Sequence, residues 1–224
     1  MKTSRFILLS AFMLTVISAV AQPRLPRPEM YIGVHGGVLA SSMIFDPSVK
    51  GLDIKQSPLT PNGGLVFRYA GHKVCGLQVE LNYMQRGWRE LLQAEDDGTT
   101  GVDYRRTLDY IELPLLMHIY LGREHFRGFI NLGPQIGYCF RDTESGTRNT
   151  NYGHQYEPIQ RPFDWGLAGG LGCYFRARKV GLFQLEARFN YSFGSIFDNE
   201  LTDHYNFANS INLSLNFAYM WQIK

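Results

Sequence analysis

From Ile211 to Ile223 the chain alternates without a break. Ile211, Leu213, Leu215, Phe217, Tyr219, Trp221 and Ile223 are apolar or aromatic, and every residue between them is polar, Ala or Met. A period of two belongs to a β-strand, because only there do successive side chains leave on opposite faces. Thirteen residues at about 3.3 Å each, tilted about 40°, span the hydrocarbon of a bilayer, whereas strands of soluble domains run to about 5–6 residues. This strand is therefore long enough to cross a membrane.

The first residues have the layout of a secretory signal peptide. Lys2 and Arg5 precede the apolar run Phe6 to Ile17, and Ala19-Val20-Ala21 precedes Gln22, so cleavage is expected after Ala21. Residues 1–21 are read as the signal peptide, 22–29 as a Pro-rich N-terminal segment and 30–224 as a barrel. No Cys follows the cleavage site, which argues against a lipid anchor. No later run of about 18 apolar residues exists to make a membrane helix, so any span must be β.

Composition narrows the function classes. A formal net charge of +2 points to neither a nucleic-acid binder nor an acidic solvating protein. Cys75, Cys139 and Cys173 are odd in number and far apart, unlike a disulfide framework or a metal cluster. They read as small apolar wall residues.

Period-two patterning predicts eight strands, near 30–40, 62–70, 75–85, 107–121, 126–140, 164–176, 182–194 and 209–223. Long polar loops at 41–61, 86–106, 141–163 and 195–208 alternate with short turns at 71–74, 122–125 and 177–181. Short turns on the side of both termini and long loops on the other is how outer-membrane barrels are built. The predicted fold is all-β: an eight-stranded antiparallel up-and-down transmembrane β-barrel with short periplasmic turns and four long extracellular loops. Residues 63–83 also repeat in 169–191, with Gly-Gly-Leu, Lys-Val, Gly-Leu and Asn-Tyr in common, as repeated hairpins would.

A soluble eight-stranded barrel such as a lipocalin alternates as well, with its apolar face inside. Lysine usage separates the two. Lys50, Lys55, Lys73, Lys179 and Lys224 all fall in predicted loops, turns or the terminus, although a strand face in water uses Lys freely. The polar strand face carries opposed charges instead, Arg68, Arg127 and Arg188 against Glu80, Glu112 and Glu186. That composition predicts a packed lumen whose buried charges are paired. Leu213, Leu215, Phe217, Tyr219 and Trp221 would then face lipid, with aromatic residues near strand ends forming an interfacial girdle.

Several stretches resemble a known family. The segments at 110–122 (YIELPLLMHIYLG), 128–140 (GFINLGPQIGYCF) and 163–175 (FDWGLAGGLGCYF), with the Glu/Asn/Tyr strands around 77–83 and 185–191, resemble the PorT-like outer-membrane β-barrel proteins of Bacteroidota. The resemblance runs from about residue 30 to the C-terminus, and Tyr110-Ile-Glu-Leu-Pro-Leu-Leu116 is its most specific element. It implies an eight-stranded barrel in the cell outer membrane with no catalytic residues, and assistance to type IX protein secretion as one role. The implied partners are outer-membrane lipid, the barrel assembly machinery during insertion, and a secretion-system or surface protein. The C-terminus departs from the family by running on to Gln222-Ile223-Lys224. Within the motif, Glu112 and His118 are placed in the lumen, and Pro114 where a bulge is tolerated.

Candidate chemistry is sparse. His35 and His118 are the histidines predicted inside strands and facing inward, but a metal centre needs three or four convergent ligands, so no metal and no cofactor is expected. Asp198, Asp203, His204 and Ser210 have the residue types of a rim hydrolase, and Glu95-Asp96-Asp97-Gly98 resembles part of a calcium loop without its ligand spacing. Both read as solvated loop polarity. Eight strands leave an interior just wide enough for side chains. The reading is a non-enzymatic barrel with a filled polar lumen and a structural or partner-binding role; the alternatives are a lipid-modifying barrel enzyme and a small-solute porin.

Overall fold

The computed structural model describes residues 24–46, 53–56, 59–91, 103–123, 125–146, 159–177, 180–194 and 207–223. Its strands are β1 (Arg24–Asp46), β2 (Asp53–Gln56), β3 (Thr60–His72), β4 (Cys75–Leu91), β5 (Asp103–Gly122), β6 (Phe126–Gly146), β7 (Phe163–Ala177), β8 (Gly181–Ser192) and β9 (Phe207–Gln222). Eight of them form a continuous antiparallel sheet in the order β4-β3-β1-β9-β8-β7-β6-β5, and β5 pairs back onto β4 to close it. Closure removes the edges that an open sheet of this length would expose. The long alternating strand of the C-terminus is β9, and it seals the barrel against β1 from Tyr31↔Gln222 to Asp46↔Phe207. The repeated segments are the hairpins β3–β4 and β7–β8.

Besides β1, which takes in residues 24–29 of the expected Pro-rich segment and residues 41–46 of the expected loop, three features differ from the sequence-based expectation. First, β4, β5 and β6 run well past the apolar pattern, and their ladder continues through Leu91↔Asp103 and Tyr104↔Gly146. Residues 86–91, 103–106 and 141–146, expected as loop, are sheet. Alternation marks a strand only where one face is apolar, and here both faces are largely polar. Second, β2 is a ninth, short strand. Gln56 pairs with Trp88 of β4, in the position that β3 gives up beyond Asn62↔Met84. Pro61 lies at this break and has no backbone N–H to extend a ladder.

The third difference is a bulge in the β5–β6 ladder. It lies between Asp109 and Tyr110, which pair with Arg141 and Cys139 and leave Phe140 as the extra residue. Pro114 is not at a bulge: the β4–β5 ladder keeps one register from Val79↔Leu115 to Asn82↔Glu112. The wall absorbs a missing donor there without a slip.

Side chains sort by parity. Leu65, Leu81, Leu113, Leu115, Leu132, Leu185, Leu213 and Leu215 point outward and are exposed, forming an aliphatic band. Aromatic residues bound it. Tyr83, Tyr138, Phe163 and Trp165 lie toward the long connections, and Phe126, Phe175 and Trp221 toward the short ones. The opposite parity is polar and buried, including Asn82, Glu112, Asn131, Glu186, Asn190, Asn212 and Asn216. The core of this protein is thus hydrogen-bonded, and its apolar surface is on the outside. The three cysteines are free thiols in the strands, and Cys139 is buried.

Candidate functional site

Among the described residues, buried side chains occupy the lumen at successive levels. Nearest the short connections, Tyr31, Tyr120, Phe129, Tyr174, Leu182 and Met220 pack into an apolar floor. His118 stacks on it, its ring 4.9 Å from Phe129 and 5.3 Å from Tyr120, while Nδ1 is 2.7 Å from Asn131 Oδ1. Below the floor Arg176 of β7 reaches across to Glu29 and Tyr31 of β1.

Arg68 lies on the upper side of this floor, 5.9 Å and 5.6 Å from the ring centres of Phe129 and Tyr174. Its Nε donates to Gln78 Oε1 at 2.8 Å, and Nη2 donates to the same oxygen and to Gln184. Amide oxygens, not carboxylates, accept from Arg68.

The central layer is built on Arg188 of β8. Its guanidinium donates to both Glu80 oxygens, at 2.5 and 2.7 Å, and to both Glu186 oxygens, at 3.0 and 2.9 Å. Glu80 is on β4, four strands from β8 in either direction round the barrel, so the pair bridges the full diameter. Planar fork geometry makes arginine suited to two such contacts at once. The carboxylates are saturated further: Asn82 and Gln78 donate to Glu80, and Asn131 and Gln184 to Glu186. His35 Nε2 lies 2.7 Å from Asn82 Oδ1 and 3.8 Å from Glu80. Room for this layer comes from small residues on β7. A Cβ at Gly170 would run into the Glu186 carboxylate, and one at Gly172 would meet the Phe129 ring at 2.7 Å.

A second ionic cluster lies toward the long connections. Arg86 of β4 donates to Asp164 Oδ2 of β7 at 2.6 Å and is ion-paired with Glu112 of β5. Its guanidinium lies 4.6 Å from the Tyr110 ring centre. Ser192 donates to Asp164 at 2.6 Å, and Ser210 donates to Ser192 at 2.9 Å. A cavity of about 10 Å³ beside Arg86, Asp164, Ser192 and Ser210 has room for about one water. Above it Arg106 donates to Asp142 and lies over Trp88.

The residues singled out from sequence are thus distributed over three levels. Glu80, Glu186 and Arg188 meet directly, Arg68 sits one level below, and Glu112 one level above. Arg127 stands apart, half-buried at the short-connection rim, with Tyr174 OH at 3.4 Å and the Tyr120 ring at 5.0 Å. Its place near the start of β6 puts it beyond reach of the central carboxylates. Leu213, Leu215, Phe217 and Trp221 are exposed on the outer face of β9, and Tyr219 is partly covered there.

Sequence reasoning missed Arg86 and Asp164. The period-two pattern puts Arg86 in the loop at 86–106, although its spacing from Gln78, Glu80, Asn82 and Met84 is even and so gives it their parity. Replacing Glu112 with Ala is expected to lower barrel stability by about 1–3 kcal/mol, since Arg86 would keep only Asp164 as an ionic partner. A urea titration of the refolded protein reads this out, and an unchanged midpoint would contradict it.

Ser210, the described member of the rim group, bonds to Ser192, Asn212 and Arg86. Asp198, Asp203, His204 and Glu95-Asp96-Asp97 lie outside the described residues, as do residues 1–21. Among the described residues there is no group of three or more His, Cys, Asp or Glu side chains placed to hold a metal ion.

Comparison with known proteins covers most of the chain. The family model for the outer membrane protein beta-barrel domain matches residues 21–198. Among solved structures, the outer membrane protein OprG from Pseudomonas aeruginosa is 17% identical, with 86% of this chain and 96% of that chain covered and a TM-score of 0.48. Ail of Yersinia pestis is 14% identical, with 86% and 99% covered and a TM-score of 0.43. Outer Membrane Protein W of E. coli is 13% identical, with 86% and 97% covered and a TM-score of 0.42. No curated protein matches the sequence.

Proposed function

This chain belongs to the outer membrane protein beta-barrel domain family, and on that premise we propose that it is a non-enzymatic, non-conducting outer-membrane barrel that presents its long connections to a partner. The observation that supports this best is the Arg188 bridge, which spans the lumen to Glu80 and is held by Glu186. An ion or solute passing through would have to break a buried charge pair, and removing one partner from such a pair costs several kcal/mol. A rigid filled wall suits display better than transport.

The experiment is single-channel recording of the refolded protein in planar bilayers. Absence of stepwise conductance, in a preparation whose heat-modifiable gel shift shows folded barrel, is the expected result. Reproducible open steps in that preparation would favour the small-solute porin instead. A lipid-modifying enzyme requires a Ser, a His and a carboxylate converging at the rim; lipid hydrolysis by the purified barrel, abolished in Ser210→Ala, would replace the present reading by that one.

The finer proposal is a PorT-like role in type IX protein secretion, with a secretion-system or surface protein as partner. It is supported by the resemblance of Tyr110-Ile-Glu-Leu-Pro-Leu-Leu116, the stretch that carries Glu112 into the Arg86 cluster. Deleting the gene should leave type IX cargo inside the cell. Undiminished secretion would remove this role while leaving the barrel reading intact. Insertion would require lipid and the barrel assembly machinery, in keeping with a cleaved signal peptide at residues 1–21.

A further inference from the structure

Charge is divided unevenly between the two ends of the barrel. The short connections at 71–74, 122–125 and 177–181 contain Lys73, Arg123, Arg178 and Lys179 against Glu124 alone. At the other end, residues 92–102 carry Glu95, Asp96 and Asp97 and residues 195–206 carry Asp198, Glu200 and Asp203, which outweigh Lys50 in residues 47–52 and Arg148 and Arg161 against Glu157 in residues 147–162. A cationic rim therefore lies where the chain turns tightly.

Geometry fixes the height of that rim. The β3–β4 connection is only Lys73 and Val74, so Lys73 cannot leave the end of the apolar wall. Lys73 and Arg123 are exposed, and Val74, Leu121 and Phe126 beside them are exposed apolar residues, Leu121 at 69%. Exposed cations interleaved with exposed apolar side chains fit a boundary with hydrocarbon on one side and headgroups on the other. Arg176, by contrast, is held by Glu29 across the lumen mouth, below the floor.

We propose that Lys73 and Arg123 form part of a basic collar that binds the phosphates of anionic phospholipids in the leaflet facing the short connections. The inference goes beyond the display role and rests on the membrane-spanning reading. An acidic protein is the less favoured occupant, because a two-residue turn offers no projecting surface and Leu121 and Phe126 would remain in water. Each cation near an anionic surface contributes about fivefold in lipid affinity.

Native mass spectrometry of the refolded barrel in micelles, titrated with phosphatidylglycerol or phosphatidylethanolamine, tests the collar. The wild type should prefer phosphatidylglycerol by about fivefold or more. The double variant Lys73→Gln/Arg123→Gln should lower that ratio by about fivefold or more, and Arg141→Gln at the opposite end should leave it unchanged. Heat-modifiability shows that each variant is folded. Equal binding of the two lipids by the wild type, or a preference that survives in the double variant, overturns the proposal; so does capture of an acidic peptide such as polyglutamate without any lipid preference. Failure of the display reading would appear elsewhere, as bilayer conductance or recovery outside the outer membrane.

Discussion

Replacing Arg188 with Ala is expected to destabilise the folded barrel by about 3–5 kcal/mol, the largest effect of any single substitution considered. The loss comes less from the vanished contacts than from what stays behind. Glu80 and Glu186 are both buried and would face one another without a cation, and an uncompensated charge of this kind is what makes broken buried pairs costly. Neighbouring amides soften the penalty only in part: Asn82, Gln78, Asn131 and Gln184 donate to these carboxylates but carry no charge. Equilibrium urea unfolding of the refolded protein in lipid vesicles measures the difference. The double variant Arg188→Met/Glu80→Gln should recover part of it, because one buried charge leaves with the other. An Arg188→Ala midpoint equal to wild type would mean that the lumen is hydrated enough to screen the pair.

Leu215→Arg is expected to cost about 2–4 kcal/mol, with Ile223→Arg about 0–1 kcal/mol. The contrast follows from depth. Leu215 lies in the aliphatic band, paired with Val38 and Ala187 on its two neighbours, whereas Ile223, exposed and of the same parity, lies just past the end of β9 beyond Trp221. A guanidinium at the first position must snorkel past the band or drag water into it. The same titration compares the two, and equal costs at both positions would contradict a bilayer centred on Leu215.

Most of the fold was legible in the sequence, because a closed barrel writes its geometry into parity. Each strand that crosses the apolar band shows period two, and β9 shows it without interruption. Lysine placement resolved which face is outside. The extensions of β4, β5 and β6 were not legible, since Arg86 to Leu91 and Arg141 to Gly146 have no apolar face to mark them. The site was less readable than the wall for a related reason. Sequence supplies the signs of charges but not the angular positions of strands, so Arg68, Arg127 and Arg188 looked equivalent. In the structure Arg188 bridges carboxylates, Arg68 meets amides over an aromatic floor, and Arg127 sits at the rim. Pairing across the barrel depends on strand order and height, and neither is local. The partner of Glu112 was missed because Arg86 was counted as loop.

The most direct test is a spin-label accessibility scan along residues 211–217 of β9 in lipid vesicles, comparing oxygen, which concentrates in hydrocarbon, with a water-soluble nickel chelate. Labels at Leu213, Leu215 and Phe217 should be open to oxygen and closed to nickel, and labels at Asn212, Ser214 and Asn216 should be closed to both, because a filled lumen admits neither. Nickel access at the even positions would contradict the filled lumen, and loss of the period-two oxygen pattern would contradict the membrane-spanning wall itself.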